Sequence, residues 1–279
     1  MKPEEHRRAV HEVAEAIAPG WERQRARSEA VVAPVREWMV GELAPRPGDT
    51  VLELAAGAGD TGFEAAAVAG ERGRLISTDF SPAMVAVARR RGAELELGNV
   101  DYLTMDAERI ELDADAVDGV LCRFGYMLMA DPAAALSETR RVLRPGGRLA
   151  LSVWSAPERN PWVTILAAAL VEGGHVPAPE PGSPDPFSMA SAEHTRALLE
   201  GAGFTAARTE QVPVRFAFRD VDDYVSYAAD TAGPFAIVLG ELSEGDRVML
   251  ASQLREAFVP FATDGGYELP GVSLNALAS

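Results

Sequence analysis

The chain has 279 residues, 47% of them hydrophobic and 24% charged, enough for one sizeable core plus an elaboration. Its formal charge of −16, with Lys2 the only lysine, argues against a partner whose phosphates need a basic stripe. Nucleic acid is therefore not expected, and a neutral, cationic or apolar small molecule is. A single cysteine, Cys122, allows neither an internal disulfide nor a cysteine-based zinc site; with no secretory leader and no run of eighteen apolar residues, a cytoplasmic protein without membrane partners is expected.

Helical spacing of Val10, Val13 and Ile17 predicts a helix over 4–18, and that of Val31, Val35, Trp38, Met39 and Leu43 a second over 28–43. Between them APGWERQRAR reads as a connection carrying Trp21 and Arg25. Strands follow near 50–55, 74–79, 94–99, 117–122 and 147–153, alternating with helices, which implies a parallel sheet. Beyond Trp154 the pattern predicts a helix at 161–172, a proline-rich loop or lid from Gly173 to Phe187, and a helix at 191–202. A strand near 204–218, a helical cap over 220–262 and a last strand, Val272 to Leu277, complete the chain.

The segment VLELAAGAGDTG, Val51 to Gly62, reads as a buried strand entering a glycine-rich turn and then a helix. Gly57, Gly59 and Gly62 supply a tight turn, a close backbone approach to a ligand and close helix packing. Asp79, twenty residues after Gly59 at the end of the next apolar run, is placed to accept hydrogen bonds from ribose hydroxyls. Two cofactor classes fit, a nicotinamide or flavin dinucleotide and S-adenosyl-L-methionine (SAM). Glu53, inside the first strand, is awkward beside an anionic pyrophosphate, whereas carboxylates at Glu53 and Asp60 suit the cationic sulfonium and ammonium of SAM.

Further along come STDFSPAMVAVAR, MDAE, DGVLCRFGYML and VLRPGG before RLALSVW. With these motifs and the ELAAGAG turn, the chain from roughly residue 45 to 155 resembles class I SAM-dependent methyltransferases, most closely the small-molecule branch typified by ubiquinone and menaquinone biosynthesis methyltransferases. The resemblance implies a doubly wound, mostly parallel, seven-stranded α/β sheet of the Rossmann-like methyltransferase kind. Its parts would be N-terminal cover helices over 1–44, a SAM-binding core over 45–155, and cap insertions plus the last two strands of the same sheet over 156–279. It also implies that Gly57 and Gly59 pass under the methionine part of SAM, that Asp79 holds the ribose, that Phe80 and Met84 flank the adenine, and that Asp106 and Ala107 reach its amino group. Ala55 stands where the family usually has the first glycine of Gly-x-Gly-x-Gly.

Arg123, Phe124 and Tyr126 follow the fourth strand, where the transferred methyl lies in such a sheet; Arg123 is a cofactor candidate and Tyr126 a candidate to orient a substrate hydroxyl, or they are core and turn residues. Trp21 and Arg25 either close over the methionine carboxylate or are a packing anchor and a solvated helix residue. If a protein base exists, His6, His11, His175 and His194 are the natural candidates, His175 first because it begins the proline-rich stretch. Trp162, Phe187, Tyr224, Tyr227 and Phe235 are either an apolar acceptor pocket or core. Asp220, Asp222 and Asp223 lack metal-ligand spacing, and no metal is expected. The expected reaction is in-line methyl transfer to O, N or C of a small, hydrophobic molecule, and homodimerisation is allowed. Two other readings stay open: an NAD(P)-dependent oxidoreductase, and a SAM-binding protein without catalysis.

Overall fold

The computed structural model describes residues 2–178 and 185–279. Five segments form the parallel strands β1 (Thr50–Glu53), β2 (Arg74–Asp79), β3 (Val100–Thr104), β4 (Val117–Arg123) and β5 (Leu143–Trp154), apolar and buried except at the edge strand β3 and the first half of β5. Leu52, Leu75, Leu121, Leu149 and Leu151 have no solvent exposure, because helices cover both faces of the sheet; that is why these strands read as continuous apolar runs instead of alternating. The antiparallel strands β6 (Ala207–Phe218) and β8 (Gly266–Ala278) extend the sheet to the order β3-β2-β1-β4-β5-β8-β6. A two-residue strand, β7 (Ala262–Thr263), pairs with β8, so among the described residues the mostly parallel α/β sheet has eight strands, the seven that the resemblance implied plus this short one. Pro213 in the middle of β6 is tolerated because β6 is an edge strand.

The helices α2 (Asp60–Ala69), α3 (Pro82–Glu94) and α4 (Pro132–Val142) link these strands, with α5 (Pro161–Glu172) and α6 (Ala192–Gly201) after β5. The cap is α7 (Val221–Thr231), α8 (Pro234–Glu241) and α9 (Glu244–Ala257). Ser81, Asp131, Ser191, Asp220 and Ser243 start α3, α4, α6, α7 and α9, each side chain accepting a first-turn amide that has no intrahelical partner. Among the described residues no helix is long and apolar enough to cross a membrane.

Two expectations are corrected. The two N-terminal helices are one, α1 (Pro3–Leu43), 41 residues long with Pro19 and Pro34 inside it. Each proline forfeits one backbone bond, but the flanking Glu, Arg, Gln and Ala residues are strong helix formers, and the segment after Pro19 is tied to the cap. Gly20 lies so close to the Asp230 backbone of α7 that a Cβ there would collide with the Asp230 carbonyl oxygen, while Arg23 and Gln24 bond the Asp230 carboxylate at 2.5 and 2.8 Å. The third strand begins at Val100 and not at Glu94, because α3 runs through Glu94 and the chain then reverses at Glu96 (φ +55°), with the Leu97 amide donating to the Gly92 carbonyl. Only from Val100 is the chain in register with Leu75 of β2. Of the proline-rich stretch Gly173 to Phe187, residues 179–184 lie outside the described residues.

Candidate active site

The carboxyl edge of the sheet gathers the sequence-predicted residues: Asp79 ends β2, Arg123 ends β4, Trp154 ends β5, and the glycine turn leaves β1. The turn is left-handed at Ala55, Gly57 and Gly59 (φ +50°, +55° and +86°), with Gly59 capping α2. Its link to β2 is direct. The Gly57 amide donates to Asp79 Oδ2 and the Ser81 amide to Asp79 Oδ1, both at 3.0 Å, so the carboxylate spans the turn and the start of α3. Burial pushes the Asp79 carboxyl above its ordinary range, opposed by these amides.

Glu53 is buried, and its carboxyl accepts the Gly62 amide of α2 at 2.7 Å and the Ser77 hydroxyl of β2 at 3.3 Å. A Cβ at Gly62 would collide with it, so the third glycine of the turn is fixed by this carboxyl. Burial pushes Glu53 up to about 8. Its carboxyl, expected to suit the cofactor's positive charge, is bonded to Gly62 and Ser77 and so staples the turn from behind.

Phe80 is half-buried against His11 of α1, edge-on with ring centres 5.4 Å apart; Met84 on α3 and Ala107, after β3, are buried. Asp106 is exposed, accepts the Glu108 amide at 2.9 Å and lies 4.0 Å from Arg7. Sequence reasoning missed Glu15, whose carboxylate accepts the Ser81 hydroxyl at 2.5 Å and the Ala83 amide at 3.1 Å, sealing the start of α3 beside Asp79. Nothing short of the tertiary fold brings residue 15 to residue 81.

Over the turn α1 lays a network of charges. Arg25 bonds Asp60 Oδ1 at 3.1 Å, with Arg91 of α3 3.7 Å from the same oxygen. Arg123 donates to the Thr61 hydroxyl of α2 at 2.7 Å and to Glu29 at 2.5 Å, and Arg36 joins Glu29 to Glu64. Trp21 is half-buried on the same helix, between Gly20 and Glu22, the latter paired with Arg90.

Beside β4 and β5 the side chains turn aromatic. Phe124, held at φ +57°, stacks on Trp154 with centres 4.1 Å apart; Trp154 meets Trp162 edge-on at 5.0 Å, and Trp162 stacks on Phe216 at 4.3 Å. Tyr126 belongs elsewhere. It has no solvent exposure and its hydroxyl is 2.6 Å from the Thr139 hydroxyl, so the expected substrate-orienting role gives way to a core contact. Tyr224 and Tyr227 are buried too, bonded to the Trp162 carbonyl and to Ser28. Phe187 and Phe235 are half-buried against the same core. His175 is half-buried at the end of α5, its amide donating to the Leu170 carbonyl; His194 is exposed on α6, and His6 lies 2.9 Å from the Leu128 carbonyl oxygen. A cavity of about 200 Å³ opens at the opposite, amino edge of the sheet, between Pro45 and Gly146.

A family model described as the ubiE/COQ5 methyltransferase family matches residues 27–166, half of the chain. An uncharacterised 37.1 kDa protein of a transposon from Streptomyces fradiae is 44% identical over 118 residues, 40% of this chain and 32% of that protein. A demethylmenaquinone methyltransferase of Clavibacter sepedonicus is 37% identical over 83 residues, 30% of this chain and 33% of that protein. The chain thus spans about a third of the length of these relatives. In fold it is similar to a SAM dependent methyltransferase from Aquifex aeolicus, with a TM-score of 0.50 and 24% identity over 63% of this chain and 83% of that one. With the glycine turn, the aspartate that ends β2 and the reversed strand order in one sheet, the chain belongs to the ubiE/COQ5 methyltransferase family.

Proposed function

We propose that this protein is an enzyme that transfers a methyl group from SAM to O, N or C of a small, hydrophobic molecule. The observation that carries the reading is the Asp79 carboxylate, buried at the end of β2 and bonded to the Gly57 amide of the turn. A buried acidic pair of acceptors at that edge suits the two hydroxyls of a ribose. In this reading Phe80 and Met84 supply apolar surface for an adenine, and Asp106 with Ala107 reaches its amino group. Family membership favours this reading over an NAD(P)-dependent oxidoreductase or a SAM-binding protein without catalysis.

When bound, SAM supplies a methyl group already activated on its sulfonium. The protein's part is to hold the acceptor atom about 3 to 3.5 Å from that carbon on the line of displacement and to keep water out. Phe124 and Trp162, half-buried and stacked on the buried Trp154 and Phe216, give an acceptor an apolar wall, and α1 crosses over the turn through Arg25. In this reading no side-chain base is obligatory: Tyr126 is committed to Thr139, and His175 would act only on an acceptor that needs a proton removed. The acidic surface and single cysteine favour the cytoplasm and a small-molecule partner with no nucleic acid; a homodimer is compatible with both.

The test is the thermal midpoint of the purified protein with SAM, S-adenosylhomocysteine (SAH), NADH or NADPH, each at about a hundredfold excess over its Kd, where binding stabilises by about 2.7 kcal/mol. A shift with SAM and SAH alone is expected. A shift with a nicotinamide cofactor alone overturns the reading.

A further inference from the structure

The tripeptide Arg-Pro-Gly occurs twice, in distant parts of the chain: Arg46-Pro47-Gly48 between α1 and β1, and Arg144-Pro145-Gly146 at the start of β5. Both glycines are left-handed, at φ +98° and +80°. Because β1 and β5 flank β4 in the sheet, the two turns stand on either side of the start of β4. Arg46 and Arg144 both line the cavity of about 200 Å³ at the amino edge, and Arg148 joins them there. Three guanidinium groups thus meet at one concavity in a chain whose formal charge is −16.

Two carboxylates share the wall, and each is engaged. Asp118 takes Arg144 on Oδ1 at 2.6 Å and the Thr50 amide on Oδ2 at 2.8 Å, while Asp49 Oδ2 accepts the amide of Arg46 at 2.7 Å. The guanidinium groups are less well satisfied. Arg144 is fixed by Asp118 and the Asp115 carbonyl. Arg148 reaches no carboxylate among the described residues and touches only the Glu42 and Ala44 carbonyls at the end of α1, at 3.3 and 3.5 Å. The Arg46 side chain has no hydrogen bond or ion pair among the described residues. A guanidinium carries five donors in a planar fork that matches an oxyanion, so Arg46 and Arg148 face the cavity with most of that capacity open. Between them Gly146 leaves bare backbone, since a Cβ there would meet nothing within 4 Å.

We propose that this cavity binds one small, doubly charged oxyanion, a phosphate ion or the phosphate group of a small metabolite. Arg46 and Arg148 donate to it, and Arg144, fixed by Asp118, adds its field. The site takes a single anion and not a strand of them, because the charge of the rest of the chain repels a polyanion. It lies at the edge opposite the glycine turn and shares no residue with it, so its occupant acts on the fold and not on methyl transfer. An anion held by Arg46 and Arg148 ties the end of α1 to the start of β5.

The test is the thermal midpoint titrated with sodium phosphate and with glycerol 3-phosphate, against sodium chloride at equal ionic strength. The proteins are wild type, Arg46→Gln, Arg148→Gln and, as a control for lost charge, Arg159→Gln, which alters an exposed arginine just before α5 at the other edge. Wild type and Arg159→Gln should show a saturable rise at millimolar concentrations or below. In Arg46→Gln and Arg148→Gln saturation should need about tenfold more anion. Arg46 is exposed and holds nothing through its side chain, so its variant keeps the test open even where the loss of Arg148 weakens the end of α1. Tighter saturation by phosphate supports the site and names the free ion as its ligand; tighter saturation by glycerol 3-phosphate supports it and names a phosphorylated metabolite. A rise that never saturates, or one that saturates equally in all four proteins, overturns the proposal. The methyltransferase reading is tested by SAM and SAH at the other edge, and either can fail alone.

Discussion

A Cβ added to Gly125 would lie 2.7 Å from the Ala55 Cβ and 2.6 Å from Cys122 Sγ, so the glycine after β4 is what makes room for an alanine in the first position of the turn. Ala55 pays for its place with a left-handed backbone. Gly125→Ala should therefore destabilise by about 1 to 3 kcal/mol through overpacking, although its backbone angles suit any residue. Ala55→Gly should stabilise by about 1 kcal/mol by removing the strain. Urea denaturation of both variants checks the pair.

Asp79→Ala should reduce SAM affinity by about 1.5 to 3 kcal/mol, roughly ten- to a hundredfold, if the carboxylate holds both ribose hydroxyls. Calorimetric titration of the folded variant decides it: undiminished affinity would remove Asp79 from the cofactor site and leave it as a clamp on the Gly57 and Ser81 amides.

The position of Glu53 sets a pH dependence. Its folded value, pushed up to about 8 by burial, lies above that of an exposed glutamate, so the folded state favours the neutral form. The unfolded chain ionises first as pH rises, and stability from this group, full in acid, is lost between about 4.5 and 8. Glu53→Gln keeps the shape and both hydrogen-bonding positions but cannot ionise. The stability of wild type relative to Glu53→Gln, from urea curves across that window, should fall as pH rises; a constant difference would mean that Glu53 is ionised in the fold.

Arg27 ties α1 to the cap with paired bonds of 3.0 and 2.9 Å to Asp223, and its guanidinium lies 4.6 Å from the Phe218 ring centre. The pairing holds Asp223 down at about 2. Arg27→Ala should destabilise by about 1 to 3 kcal/mol, since it removes a forked ion pair and an aromatic contact together. Limited proteolysis should then cut within α1 sooner than in wild type; equal cutting rates would show that the remaining contacts of α1 suffice.

The glycine turn and its strands were legible because a doubly covered parallel sheet writes itself as apolar runs ending in glycine or aspartate. The continuity of α1 was not legible, because Ala18-Pro19-Gly20 has the local chemistry of a break and what overrides it, the Asp230 backbone, lies more than two hundred residues away. The third strand was misplaced because Glu94 to Leu97 alternates like a strand, while the left-handed residue Glu96 turns the chain there. Within the site, residue identity located Asp79 and the turn but not the direction of each side chain. Glu53 faces backward to Gly62, Tyr126 faces inward to Thr139, and Glu15 enters from a helix that sequence alone leaves unplaced.

At 1.5 Å per residue α1 is about 60 Å long, and it touches α3 through Glu15, α2 through Arg25, β4 through Glu29 and the cap through Gly20, Arg23 and Arg27. For protein engineering this makes it a shared spline. Exchanging the cap of this protein for that of a relative is an exchange of two segments at once: a transplanted 220–262 keeps its seat only if residues 20–28 travel with it.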